Sequence, residues 1–476
     1  MRLIALSLTA FVVSVCWFGE DIARLIKHDS LEPWSSFLYF HLNAFVSPPR
    51  KFFIKPYDIP GNIIVGDRSP YARQLVESRT DPPFLILIPD PKLDVVVSWF
   101  IAKAGVWDPL LTSRVTTLLQ ERAQHQRNTS ALDDFSDFGN LVVDVGANVG
   151  WFSLLATAHG YDTVAYEAQE RLAALLQASA AINGWSGIGS NRRLEVIHAA
   201  ITDLTMFGSP SGVRTAGACA STVANRNADT CASSQIDLAS KDNCAPILGL
   251  TGTLDRWGGA RVTNGTGLTA RQSAPGIALD DAFVVSASNK RDAAGIGDDG
   301  QISAMRYVEY RDSTGMCGNK YPGSITSTPR NFSRVLLLKV DVEGHEIAVI
   351  NGARRLLASG LVENAVFEFD PHTPQDLARW EDALLRFSST WGFQVEDVRC
   401  EEFQADAAAR KLKQKTGVPK FTPLTQEEAC RPLLVNSSVA DVRLFLGLVM
   451  GRIGNDKTTD FWFTYQPLTR ENYPVR

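Results

Sequence analysis

The run Leu141-Val-Val-Asp-Val-Gly-Ala-Asn-Val-Gly150 constrains this chain more than any other stretch: β-branched apolar residues end in a carboxylate and then in a turn punctuated by glycine. An apolar strand without polar alternation belongs in the buried middle of a parallel sheet. The glycine turn after it lets backbone amides come close to a ligand at the start of the next helix. Gly146 and Gly150 permit that approach, and Asn148 is one of the few side-chain-bearing residues that tolerate a left-handed backbone. The flanks complete a βαβ unit. Trp151, Phe152, Leu154 and Leu155 open a helix, and Tyr161 to Glu167 is a second strand ending in an acid. Leu172, Leu175, Leu176, Ser179 and Ile182 then recur at helical spacing up to a stop at Asn183-Gly184. Glu167 follows Gly150 at close to the roughly 20 residues at which an acid meets the ribose hydroxyls of a bound nucleoside.

A second block lies far downstream. After a strand at Leu194 to Ile201 and then Thr202-Asp203, Val335-Leu-Leu-Leu-Lys-Val340 reads as another buried strand. Asp341, Glu343, His345 and Glu346 crowd its carboxyl end, where open α/β sheets hold their ligands. A helix carrying Ile347, Ile350, Leu356 and Leu357 follows, and Ala365 to Asp370 supplies a further strand with an acid near its end.

Together these blocks resemble the FkbM-type family of S-adenosylmethionine-dependent methyltransferases. The resemblance is carried by Val143 to Ser153, Ala165-Tyr-Glu167, Ala200-Ile-Thr-Asp203 and Leu338-Lys-Val-Asp-Val-Glu-Gly-His-Glu346, with Asn351-Gly-Ala353 after it. Asp94 to Ser98 and Gly105-Val-Trp-Asp-Pro109 look like the family's entry segment, so the match runs over about residues 90–205 and 331–400. It implies an α/β, Rossmann-like class I methyltransferase fold: a doubly wound, mostly parallel sheet with an antiparallel edge strand. It also implies S-adenosylmethionine as cofactor and methyl transfer to a hydroxyl of a glycan or small molecule. Two departures stand out: Ala168 replaces the family's usual proline, and His345 stands where relatives have a small residue.

The resemblance implies that Asp144 would sit under the methionine part of the cofactor, directly or through water, that the turn at Gly146, Asn148 and Gly150 would approach it, that Glu167 would hold the ribose and that Asp203 would lie near the adenine. The bland readings make Asp144 a turn cap and Asp203 a solvated loop acid. An alcohol attacking a sulfonium methyl loses its proton as the bond forms, so the acceptor side needs a base and alignment. Asp341, Glu343 and His345 are the candidates; alternatively, Glu343 and Glu346 pair with Lys339 or Arg354 and fix the loop. A metal on Asp341, Glu343 and Glu368 lacks any histidine-rich ligand spacing, and none is expected.

The rest of the chain locates this unit. Met1-Arg2 and the apolar run Leu3 to Phe18 read as an uncleaved signal anchor over residues 1–30, with a removed leader as the other possibility. The enzyme is then expected in the lumen of the endoplasmic reticulum or Golgi. Besides Cys16, an even set of six cysteines suits an oxidising lumen, and sequons stand at Asn128, Asn264, Asn331 and Asn436. A net charge of -5 over 476 residues argues against a nucleic-acid partner, and Arg410 to Lys420 reads as a solvated segment.

Residues 31–89 look like a stem, and residues 90–476 like the methyltransferase domain, interrupted at about 205–330 by a polar, cysteine-containing insertion expected to be long, partly disordered loops. Within it Gly252-Thr-Leu-Asp-Arg-Trp257 resembles the family's Thr-Leu-Asp segment, which places the extra mass mostly from Gly258 to Arg330. Asp441 to Val449 reads as helix or strand, and Asp460 to Tyr465 as a final antiparallel edge strand. Two other functions compete with the methyltransferase. One is a catalytically silent relative that binds partners in secretory traffic. The other is a dinucleotide oxidoreductase, disfavoured by the missing third glycine.

Overall fold

Seven strands build the sheet that carries these motifs: β1 (Leu141–Val145), β2 (Asp162–Glu167), β3 (Leu194–His198), β4 (Val335–Val340), β5 (Val362–Phe369), β6 (Phe393–Asp397) and β7 (Thr459–Tyr465), in the order β3-β2-β1-β4-β5-β7-β6. The computed structural model describes residues 51–53, 74–92, 94, 96–129, 141–186, 194–203, 247–251, 261–263, 272–286, 301–304, 331–332, 334–371, 373–400, 430–453 and 458–466. The strands from β3 to β5 pair in parallel, and β7 runs antiparallel to both β5 and β6. An α/β fold with a mostly parallel sheet is therefore present.

The expected antiparallel edge strand needs correction: β7 lies inside the sheet and β6 forms the edge. Phe461 and Phe463 pack into the core on one face of β7 and Trp462 into the core on the other. Helices cover both of its faces, and pairing with β5 on one side and β6 on the other leaves it no free edge. The unbroken run Phe461-Trp-Phe463 already carried that signal.

Helices cover both faces. On one lie α1 (Val97–Ala104), α2 (Pro109–Thr129), α3 (Trp151–Ala158) and α4 (Glu170–Ile182), on the other α5 (Glu346–Gly352), α6 (Arg354–Ala358), α7 (Pro374–Ser389) and α8 (Val439–Ile453). The local chemistry sets their ends. Asp94 accepts from the amides of Val97 and Ser98 at the start of α1, at 3.2 and 2.7 Å. Thr373 and Asp376 form a reciprocal capping box on α7. Gly184, at φ +76°, follows α4 where the Asn-Gly stop was expected. The single helix expected after β4 is two, because Gly352 packs so tightly on Thr202 that a Cβ would lie 2.4 Å from its carbonyl oxygen, and Asp280 caps the next turn through the amides of Arg355 and Leu356, both at 2.9 Å.

That cap comes from the insertion, which is not loop throughout. Gln272–Ile277 pairs in parallel with Ala200–Ile201, and Ile277, Leu279 and Phe283 are buried in the main core. The short helix Leu279–Ala282 carries a Leu-Asp pair like that at Leu254-Asp255, which lies outside the described residues. Ile247–Thr251, Arg261–Thr263, Phe283–Ser286 and Gln301–Ala304 are further strands of the insertion; the disorder expected in the rest of it, the N-terminal apolar run and Arg410 to Lys420 lie outside the described residues. Part of the stem segment is built into the body: Gln74–Glu77 and Leu85–Ile88 form an antiparallel pair. The Leu87 amide donates to Ser179 Oγ at 2.9 Å, Asn183 bonds both backbone polar groups of Leu85, and Phe84 meets Trp151 edge to face. Cys400 and Cys430 form a disulfide, while Cys219, Cys231, Cys244 and Cys317 lie outside the described residues. Among the described residues no helix is long and apolar enough to cross a membrane.

Candidate functional site

Register gathers the acids. Asp144 lies opposite Lys339 across β1 and β4, and Glu368 opposite Asp460 across β5 and β7. With Glu167 closing β2 and Asp341 following β4, they lie along the carboxyl edge of the parallel strands, the edge where open α/β sheets bind ligands.

The turn after β1 is left-handed at Gly146 (φ +75°), Asn148 (φ +54°) and Gly150 (φ +89°). At two of these positions a side chain has no room: a Cβ on Gly146 would lie 1.8 Å from the Asp341 carbonyl oxygen, and one on Gly150 would lie 2.0 Å from Leu176 Cδ1. The Gly146 and Ala147 amides donate to the Tyr166 carbonyl at 2.9 and 3.0 Å, which draws the turn over the end of β2. Glu167 sits there, 5% exposed, and accepts from the Asn148 amide at 2.8 Å and the Gln169 amide at 2.7 Å. Burial pushes its carboxyl up to about 7 against the pull of those two amides. Each oxygen keeps a second lone pair, so a ribose hydroxyl can be added to the existing bonds.

Asp144 reaches across the turn into the first turn of α3. Its Oδ2 accepts from Ser153 Oγ at 2.6 Å, inside α3, while its Oδ1 is buried without a hydrogen bond and faces Lys339 Nζ at 3.8 Å. Lys339 reaches Asp341 Oδ2 at 3.2 Å and lies over the Phe152 ring, 5.2 Å from its centroid. The two partners respond differently because the lysine is shared. Burial pushes the Asp144 carboxyl up despite Lys339, whereas burial works to lower the Lys339 ammonium and loses to the joint charge of Asp341 and Asp144.

The loop after β4 is held by Glu346, whose Oε1 accepts from the Val342 and Gly344 amides at 3.1 and 3.0 Å. Burial pushes that carboxyl up to about 7. Fixing the loop is thus its role, through amides and not through an ion pair with Lys339 or Arg354. Glu343 and Gly344 take left-handed backbones at φ +56° and +86°, which turns the chain so that His345 reaches Thr202 Oγ1 with Nε2 at 2.8 Å. Burial lowers the His345 pKa and keeps the ring neutral at pH 7. This contact joins the loop to the segment holding half-buried Asp203.

Sequence reading missed Asp460 and its partners. Arg399 bridges Asp460, at 3.1 Å, and Asp108, so the start of α2 is tied to β7. Glu368 lies beside this group, with Oε2 buried and without a hydrogen bond. Burial first, then the charges of Asp341, Glu346 and Glu343, push its carboxyl up to about 10. A folded pKa above the unfolded 4.5 means that folding favours the neutral form; that stability is full below about 4.5 and is lost as pH rises toward 10. Glu368→Gln, an uncharged isostere, is expected to match the parent near pH 4.5 and to melt about 5 °C higher at pH 8. A variant less stable than the parent at pH 8, or a difference that ignores pH, would refute the assignment. Among the described residues no group of histidine, cysteine and acid side chains is arranged to hold a metal ion.

Comparison of the chain with family models, with curated proteins and with solved structures returned no match.

Proposed function

We propose that this chain is an S-adenosylmethionine-dependent methyltransferase acting on a hydroxyl of a glycan or other hydroxylated small molecule. The observation that carries the reading is the turn after β1, where Gly146 and Gly150 leave no room for a side chain and Asp144 and Glu167 stand on either side. The mostly parallel sheet is compatible with the class I methyltransferase fold that the resemblance implies. The acid-rich edge suits a sulfonium cation, and Oδ1 of Asp144, ion-paired with Lys339 at 3.8 Å, is a buried acceptor that takes no hydrogen bond.

Asp144 and the turn amides would hold the methionine part, Glu167 the ribose and Asp203 the adenine side. S-adenosylmethionine supplies an electrophilic methyl group. The chain's own part is to align the acceptor oxygen and take its proton. His345, neutral and fixed by Thr202, is able to accept one, and Asp341, earlier in the same loop, is ion-paired with Lys339. The N-terminal apolar run, the sequons and the Cys400–Cys430 disulfide support a membrane-anchored enzyme with its domain in the secretory lumen.

One observation favours the silent alternative: both Glu167 oxygens are already satisfied by the chain's own amides. Calorimetric titration of the purified full chain with S-adenosylmethionine separates the two. Binding is expected, weakened about tenfold or more in Glu167→Ala, with Asp341→Ala and His345→Ala sparing affinity and slowing labelled-methyl transfer to a fractionated extract. Absence of binding under native conditions would leave the silent relative.

A further inference from the structure

A cleft of about 510 Å³ opens beside the loop after β4, running from Gly344 and His345 between α5 and α7 to Arg386. Its wall carries an unusual arrangement. Arg354 Nη2 and Arg386 Nη1 both donate to one neutral oxygen, Asn351 Oδ1, at 3.0 and 3.2 Å. Two guanidinium groups thus converge on a neutral amide; burial lowers the Arg386 pKa, its ion pair with Asp382 opposes that, and the Arg354 charge adds to the lowering.

The acids along the same cleft are mostly committed elsewhere. Glu346 accepts from the loop amides, and Asp376 caps α7 with Thr373. Asp370 has a partner of its own. Asp382, 69% exposed, lies 3.1 Å from Arg386 Nε, and Arg379 faces Asp376 at 3.6 Å. Among the described residues no carboxylate pairs with Arg354. Planar guanidinium forks match the geometry of carboxylate, phosphate and sulfate oxygens, and bonds between charged partners are about twice as strong as neutral ones.

We propose that this cleft is the acceptor subsite and that Arg354 and Arg386 grip an oxyanion carried by the hydroxylated acceptor: a carboxylate, phosphate or sulfate. Asn351 presets the two forks, and His345 at the other end of the cleft lies where the hydroxyl would lose its proton. The assignment as an acceptor subsite rests on the methyltransferase reading; the oxyanion grip does not.

The test is calorimetric titration of the full chain with sodium glucuronate, inorganic phosphate and inorganic sulfate, against glucose and against sodium chloride at equal ionic strength. At least one oxyanion is expected to bind where glucose and chloride do not, and which one binds identifies the group. Arg354→Gln and Arg386→Gln are each expected to weaken that binding about tenfold or more, with S-adenosylmethionine affinity unchanged. Arg386 also packs over Trp391, 5.4 Å from the ring centroid, so its variant is open to misfolding; Arg354 begins α6 on the surface, and its variant decides the matter if the other fails to fold. Equal oxyanion affinity in the parent and Arg354→Gln, a preference for glucose, or no oxyanion binding would overturn the proposal. Loss of S-adenosylmethionine binding alone would sink the enzyme reading and leave the grip standing.

Discussion

Replacing Gly146 by alanine is expected to cost more than about 4 kcal/mol and to abolish S-adenosylmethionine binding. Two penalties add. The left-handed backbone at φ +75° costs an alanine about 1 kcal/mol, and the added Cβ overlaps the Asp341 carbonyl oxygen at 1.8 Å. That oxygen is held on both sides, by the Val342 amide of its own peptide unit bonded to Glu346 at 3.1 Å and by the Asp341 amide bonded to the Val145 carbonyl at 3.0 Å, so relief must open the junction of β1 with the loop after β4. Gly184→Ala supplies the control: its φ is +76° but nothing lies within 4 Å of the new Cβ, so it should lose only the backbone term. Urea unfolding of both variants isolates the overlap. Losses of similar size would show that β4 does not press on the turn.

Lys339→Met is the second large effect, about 3 to 4 kcal/mol at pH 7. Methionine fills nearly the same volume but leaves Asp144, 1% exposed, without its counter-charge. The carboxyl can escape by taking a proton, which from an ordinary value of 3.8 costs about 4 kcal/mol at pH 7 and bounds the loss. The folded pKa of Asp144 in the variant lies above the unfolded one, so folding favours the protonated form and the deficit shrinks as pH falls toward 4. Adding Asp144→Asn should recover most of the loss, and a double-mutant cycle reads the coupling directly. A loss under 1 kcal/mol, or one flat with pH, would mean that water or Ser153 alone satisfies Asp144.

How much of this was legible follows from range. The βαβ unit from Leu141 to Ile182 could be read because each of its signals is local: a two-sided apolar strand, left-handed turn residues, a 3.6-residue period and an Asn-Gly stop. The place of β7 was misjudged although its signal was present, since an aromatic run tells that both faces are buried only when the neighbouring strands are known. Asp460, Arg399 and Asp108 stayed invisible because Arg399 meets them across 61 and 291 residues of chain, and no spacing encodes that. The insertion was read from its composition as loop, yet Gln272 to Ser286 is held by partners outside it, Thr202 and Arg355 among them.

The sequence by itself determined that a buried strand ends in an acid and a glycine turn, that a second acid closes the next strand, and that a cluster of titratable residues follows Val340. Those are statements about backbone preference and periodicity, which act over a few residues. Tertiary structure alone decided how the acids share charge: that Lys339 serves both Asp144 and Asp341, that Glu167 is already satisfied by amides, that Glu346 braces a loop, and that two arginines meet on Asn351. Electrostatic energy depends on distance through space and on burial, and both are set only when strands far apart in the chain come into register.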